Sequence, residues 1–304
     1  MDKLKVTVIT PAYNRSHTLP RVYESLKNQT FKYFKWIIMD DGSTDDTEEV
    51  VSMFLAENVF EIEYRKNENA KKFYTVFKAV ETVKTDYFTI LDSDDAYLCD
   101  ALEILVNEAD MLDRTEFISV IGHSEDENGK IFGTLFPNNG FDGSILEMRY
   151  KYNVKGDKNG LFITAPYQEY LKNFNYESYK NKYAPQKIFF NIYDGNGMKT
   201  RFINQIIRVY FYDISDQGSM SNERVKCSSY PGLKDGHLSF LNSYAGQLWG
   251  YPVALLRNIA GYVFYSVLLN EGFIKSVSRI KPGFIKLGAS FLYPLVYLYA
   301  RIKN

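Results

Sequence analysis

Three polar clusters in the first hundred residues have the types and spacing to do chemistry. Asp92-Ser93-Asp94-Asp95 puts three carboxylates within four residues. Like charges packed that closely repel one another unless a cation sits among them. Hard oxygen donors suit Mg2+ or Mn2+, which take one or two carboxylates plus substrate phosphate oxygens. The competing reading is an acidic cap for the next helix. Asp40-Asp41-Gly42-Ser43 has turn chemistry, and its Asp and Ser could also cap a helix. Thr10-Pro11-Ala12-Tyr13-Asn14 offers a ring that could stack on a base, although Tyr13 is one of 25 tyrosines and could simply pack. His17, His123 and His237 have no metal-ligand spacing and read as surface or capping residues. Cys99 reads as a packed helical thiol. No P-loop, GxGxxG or Ser-His-Asp order is present.

The elements that must position these clusters alternate. Lys5–Thr10 is a β-branched run of strand length, stopped by Pro11. Ser16 can cap a helix that carries Leu19, Val22, Tyr23 and Leu26 at helical spacing. Phe34–Met39 predicts a second strand and Asp45–Glu57 a helix with acids in its first turn. Val59–Tyr64, Lys71–Val83, Tyr87–Leu91, Leu98–Leu112 and Phe117–Ile121 continue as strand, helix, strand, helix and strand. Such alternation predicts a mostly parallel sheet flanked by helices. Ligands of these sheets bind outside the carboxyl ends of the strands, where all three polar clusters fall.

TVITPAYNR at 7–15, MDDGSTDDT at 39–47 and ILDSDD at 90–95 resemble, in order and spacing, family 2 glycosyltransferases of the GT-A fold. Lys66–Ala79 resembles the family's Asn/Gly/Lys-rich segment, with Ala70 where Gly is common. Val154–Thr164, Pro185–Asn191 and Lys199–Asn222 resemble a branch found in bacterial capsule and cell-wall polysaccharide synthesis. The resemblance implies a Rossmann-like GT-A domain over 1–230 that binds a nucleotide sugar, often UDP-linked. It places Pro11, Tyr13, Arg15, Asp41, Lys71, Asp92 and Ser93 around the nucleotide, with Tyr13 stacking on the base and Asp41 accepting a hydrogen bond from it. It gives Asp94 and Asp95, beside Asp92, to a Mn2+ or Mg2+ ion that bridges the diphosphate. Such enzymes invert the anomeric centre in one in-line displacement and need a carboxylate base. The branch carries Pro-Glu where this chain has Pro185-Gln186, and an amide accepts no proton at neutral pH. Either the base position is shifted, or Asp157, Glu169, Glu177 or Asp194 serves, with Asp157 foremost, or the chain is a weak or inactive homologue that binds a nucleotide sugar or partner. A nucleotidyltransferase is the other enzyme class considered, but PAYNR is not its Gly-rich activating loop.

Composition bounds the rest. The 304 residues suggest about two domains. Apolar residues at 45% and charged residues at 24% are globular values. A net charge of −1 argues against a nucleic-acid partner. Two cysteines and no leader-like N-terminus lead to the expectation of a cytoplasmic, reducing environment. The charge is uneven. Leu238–Asn304 has seven basic residues against Glu271 alone, net +6, which leaves −7 on the remainder. Within this tail, Leu248–Asn270 and Leu287–Ala300 are apolar and aromatic, the first holding Arg257 and the second Pro294. A span needs about 20 residues, so the 14-residue second run reads as too short. Lys and Arg interleaved with Phe, Val and Ile over 274–286 suit a helix lying in an interface. The expectation is a helical region at 231–304 that holds the protein peripherally on the inner face of the cell membrane, next to a glycan or lipid-linked acceptor. The alternative is a helical subdomain that packs on the catalytic domain or forms a homodimer.

Overall fold

The computed structural model describes residues 3–211 and 226–303; positions 212–222 of the Lys199–Asn222 segment therefore lie outside the described residues. Contacts divide the chain into two units. One is Met1–Asn181 with Met198–Ile214, the other Lys182–Gly197 with Ser215–Asn304. Lys182–Gly197 thus groups with the C-terminal helices.

The first unit runs β1 (Val6–Ala12), α1 (Leu19–Lys27), β2 (Phe34–Asp40), α2 (Thr47–Glu57), β3 (Glu61–Lys66), α3 (Lys72–Glu81), β4 (Tyr87–Ile90), β5 (Ala96–Tyr97) and α4 (Ala101–Asp110). It continues with β6 (Phe117–Glu125), β7 (Phe141–Gly143), α5 (Ile145–Tyr150), β8 (Asn159–Ile163), α6 (Thr164–Lys172) and, after an excursion into the second unit, β9 (Lys199–Val209). The sheet order is β3-β2-β1-β4-β8-β6-β9-β5, with β7 on β9. The first four strands are parallel, β8 is antiparallel to both β4 and β6, and β9 runs parallel to β6. This is the helix-flanked, mainly parallel arrangement the alternation predicts.

All seven β1 residues are buried, as expected for a β-branched strand with neighbours on both sides. β1 does not stop at Pro11. The Ile9 carbonyl accepts from Leu91 N–H on the β4 side, and the Ala12 carbonyl accepts from Asp41 N–H on the β2 side. Pro11, two residues after Ile9, turns its donorless nitrogen past the last β4 pairing at Ile90, where no ladder bond is lost. α1 buries Leu19, Val22, Tyr23 and Leu26 as its spacing predicts. Tyr23 stacks on Phe54 at 4.3 Å between ring centroids, and Trp36 packs on both Tyr23 and Phe54 while donating to Thr10 Oγ1. Each such ring contributes roughly 1.5–3 kcal/mol by leaving water. Three local expectations fail. Thr18, not Ser16, precedes α1, because the Ser16 hydroxyl donates to Asp45 instead. Cys99 is exposed in the turn before α4, which starts later than predicted. His123 is a core residue of β6, not a surface one.

The second unit holds α7 (Lys187–Gly195), α8 (Tyr230–Ser243), α9 (Pro252–Leu268), α10 (Phe273–Ser278) and α11 (Gly283–Lys303). α9 buries one face, including Ala254, Ile259, Tyr262, Val263 and Val267. Tyr244 donates to the buried Asp194 at 2.6 Å, and Tyr262 to the Ser276 carbonyl. The 14-residue apolar run read as too short to span is part of one 21-residue helix that passes through Pro294. By length and composition Gly283–Ile302 could cross a membrane.

Candidate active site

Each polar cluster sits at the carboxyl end of a parallel strand, and side chains stitch the three loops together. Asn14, at a φ of 54°, accepts from Thr44 N–H through Oδ1, while its own N–H donates to Ser43 Oγ. Arg15 N–H donates to Thr47 Oγ1, and Ser16 N–H to Asp45. Tyr13 beside them is 47% exposed, just past the carboxyl end of β1. The buried Asp41 carboxylate draws in a third segment. It accepts from the N–H groups of Ala70 and Lys71 and from the Thr75 hydroxyl at 2.7–3.0 Å. Burial pushes its pKa up against those three donors. Lys71 takes a φ of 73° to present its N–H, a strained conformation that for a side-chain-bearing residue costs about 1–3 kcal/mol.

The ligand atoms of Asp92, Asp94 and Asp95 lie within 4.8 Å of one another. Their surroundings differ. Asp92 is desolvated, yet the Lys72 ammonium at 2.7 Å holds its carboxyl below the usual range, with further help from Arg208 and Arg15. Asp95 is buried, and burial pushes it up to about 7 against the pull of Arg208. Both its oxygens are engaged, Oδ2 by Arg208 Nη1 at 2.9 Å and Oδ1 by Phe211 N–H at 3.2 Å. Asp94 is pushed up by burial and then by Asp92. Among the described residues no side chain donates a hydrogen bond to its carboxylate. Arg21 holds the Asp94 main-chain carbonyl instead and lies 3.6 Å over the Phe211 ring. Three converging carboxylates, one of them with no side-chain donor among the described residues, fit a hard divalent cation. Ser93 between them is buried.

Of the alternative carboxylates, only Asp157 joins this cluster. Arg208 Nη2 donates to it at 2.7 Å, so one buried guanidinium bridges Asp95 and Asp157 and also donates through Nε to Ser124. The Asp157 side chain stays 56% exposed. Glu169 is paired with Lys172 on the α6 surface, Glu177 lies with Lys78 and Tyr74, and Asp194 is sequestered against Tyr244. Gln186 precedes α7 in the second unit, its carbonyl accepting from Phe189 and Phe190.

Two cations of the site were not singled out from sequence. Lys72, not its neighbour Lys71, forms the ion pair with Asp92. Arg208 comes from β9, and its one signal is a lone charge in the apolar run Ile206-Ile207-Arg208-Val209.

A helix-flanked sheet with a stackable ring, a buried acid and a carboxylate cluster at its parallel strand ends defines a nucleotide-binding α/β protein of the GT-A kind. Residues 7–207 match the model of glycosyl transferase family 2, and the chain belongs to that family. It is 29% identical over 210 residues to the GalNAc(5)-diNAcBac-PP-undecaprenol beta-1,3-glucosyltransferase of Campylobacter jejuni, an alignment covering 68% of this chain and 64% of that one. The chain thus spans less than two thirds of the length of that curated relative. Among solved structures, S. aureus TarS 1-349 in complex with UDP-GlcNAc superposes with a TM-score of 0.65 at 18% identity, covering 98% of this chain and 88% of that one. The mannosyltransferase PcManGT from Pyrobaculum calidifontis, in complex with GDP-Man and Mn2+, gives 0.52 at 13% identity, covering 100% and 88%. These two likenesses show the shared fold.

Proposed function

We propose that this protein transfers a sugar from a nucleotide donor, UDP-linked in the first instance, to a lipid-linked or growing cell-surface glycan, with inversion at the anomeric carbon. The convergence of Asp92, Asp94 and Asp95 at the end of β4, with no side chain among the described residues bonded to the Asp94 carboxylate, carries the proposal. Tyr13 stacks on the base, and Asp41, already fixed by three donors, accepts from it. Pro11, Arg15, Lys71 and Ser93 line the nucleotide, and Asp92 meets the ribose. Asp94 holds Mn2+ or Mg2+ together with Asp92, while Asp95, tied to Arg208, fixes the geometry behind them. The ion, when bound, neutralises charge growing on the departing nucleoside diphosphate. Asp157 takes the proton of the acceptor hydroxyl, a role for which Gln186 lacks the chemistry. Support comes from the family membership, from the UDP-GlcNAc and the Mn2+ bound by the two structural neighbours, and from the undecaprenol-linked saccharide on which the Campylobacter relative acts.

The reading extends to location. Ile274, Leu287, Phe291, Leu295, Leu298 and Ile302 are exposed apolar residues on α10 and α11. Lys275, Arg279, Lys281 and Arg301 are exposed around them. The single acid of the tail, Glu271, is mostly buried at 2.8 Å from Lys234, with Lys275 and Arg279 within 4 Å. An apolar surface whose exposed charges are all positive suits the anionic inner leaflet, with the protein lying peripherally on it. Thermal-shift measurements with UDP, GDP and CDP, each with and without Mn2+, test the donor assignment. A ligand that binds only the folded protein raises its melting temperature by mass action. A shift for UDP that needs Mn2+ is the expected result, and no shift for any nucleotide contradicts the reading. Sugar-dependent nucleotide release then separates an active enzyme from a protein that only binds.

A further inference from the structure

An aromatic pair stands beside Asp157 that the donor site does not use. The Phe132 and Tyr210 rings stack with centroids 4.7 Å apart and 22° between planes. They come from distant parts of the chain, Phe132 from the turn after β6 and Tyr210 from the residue after β9. Main-chain bonds lock both to β6: Phe132 N–H donates to the Ser124 carbonyl and Tyr210 N–H to that of Glu125. Phe132 is nonetheless 36% exposed.

The Phe132 loop is built onto the segment that carries Asp157. A Cβ on Gly133 would fall 2.1 Å from the Lys155 carbonyl oxygen, and one on Gly156 would fall 2.3 Å from that of Phe132. Both glycines have positive φ, so the two chains approach as only glycines permit. Thr134 N–H donates to the Lys155 carbonyl, and Lys155 N–H to the Thr134 hydroxyl. Lys158 donates to the Phe132 and Thr134 carbonyls and to His123 Nδ1. Arg208 then joins the two halves, bound to Asp157 and lying 5.4 Å from the Tyr210 ring centroid. Burial and the negative charges of Asp157, Asp95 and Asp94 push the Tyr210 hydroxyl up to about 12, which leaves it a neutral hydrogen-bond donor and acceptor at the edge of the acid cluster.

We infer that Phe132 and Tyr210 form a subsite for a pyranose ring of the acceptor, presenting its hydroxyl to Asp157. The C–H face of a pyranose is apolar and packs on an aromatic face, while its hydroxyl edge needs acceptors such as a carboxylate. A rigid ring pair costs little ordering entropy when it binds, and it sits on a loop braced at both ends. This inference rests on the sugar-transfer reading above.

The probes are the methyl glycosides of glucose, galactose, N-acetylglucosamine and N-acetylgalactosamine, followed by saturation-transfer NMR on the full chain in the presence of UDP and Mg2+. At least one should receive saturation through its ring C–H protons. Phe132→Leu, which keeps apolar volume and removes the aromatic face, should weaken that signal at least fivefold, and Phe132→Tyr should keep it. The UDP thermal shift should be the same in all three proteins. No signal from any glycoside with the wild type, or an undiminished signal with Phe132→Leu, overturns the subsite. Weaker binding of UDP-N-acetylglucosamine than of UDP in Phe132→Leu, relative to wild type, would give the ring to the donor sugar and overturn the acceptor assignment. Absence of the UDP shift from the wild type is a separate failure, that of the donor reading.

Discussion

The strand ends of the first unit and the C-terminal helices of the second treat charge in opposite ways. At the strand ends, four acids gather inward and most are met by a specific cation: Asp92 by Lys72, Asp95 and Asp157 by Arg208. Among the described residues, Asp94 has no cation of its own. Past residue 238 the lone acid, Glu271, is mostly buried, and Lys275, Arg279, Lys281 and Arg301 face outward among apolar side chains. The first arrangement fixes a point in space, as a reaction centre requires. The second spreads over an area, and a planar anionic partner asks for no more than that.

Removing the point-like element should have the largest effect. Asp157→Asn should lower sugar-dependent nucleotide release by about 10²–10⁴-fold, the range for a lost general base, with nucleotide affinity unchanged. If release is unaffected, Asp157 is not the base and the comparison loses its acceptor side. Arg208→Met strips the counter-charge from a buried acid, and breaking such a pair costs roughly 3–5 kcal/mol. Chemical denaturation should show that loss, whereas Arg301→Met on α11, an exposed site, should leave stability nearly unchanged. Similar losses from both would erase the contrast between inward and outward charge.

The area-like element should fail gradually. Phe291→Ser with Leu295→Ser should weaken co-sedimentation with phosphatidylglycerol vesicles by at least about tenfold, because two side chains stop leaving water. Binding that is unchanged, or equal on neutral phosphatidylcholine vesicles, removes the anionic membrane from the account. An effect confined to low pH concerns His123, which burial holds down to about 4. Its Nδ1 accepts from Lys158, so the ring proton sits on Nε2 and is donated to Asn204. The unfolded chain takes up a proton near pH 6.5 that the folded protein refuses until about 4. Stability should therefore fall as pH drops through that window, by up to about 3 kcal/mol, and His123→Gln should flatten this component. Equal pH dependence in both proteins would show that the ring is not held neutral.

The same contrast explains what the sequence discloses. Motifs confined to one strand end are local, so the three clusters and the helix-flanked sheet can be read from residues 7–47 and 90–95. Arg208 lies more than 110 residues from Asp95 and meets it only because β9 pairs with β6 through a register interrupted by bulges, which no local pattern encodes. Lys71 and Lys72 are indistinguishable by composition. The strained φ of Lys71 and the start of α3 decide that Lys72 reaches Asp92. The tail is legible as a surface type from its charge imbalance, but not as a helix length, since Pro294 reads as a break and is absorbed within α11.

Calorimetric titration of UDP into the wild type and into Asp94→Asn, each with saturating Mn2+ and again with EDTA, bears most directly on the carboxylate cluster. The account predicts binding in the wild type that weakens at least about tenfold with EDTA, and an Asp94→Asn protein whose weaker affinity no longer responds to Mn2+. Equal affinity and equal Mn2+ response in the two proteins would contradict it.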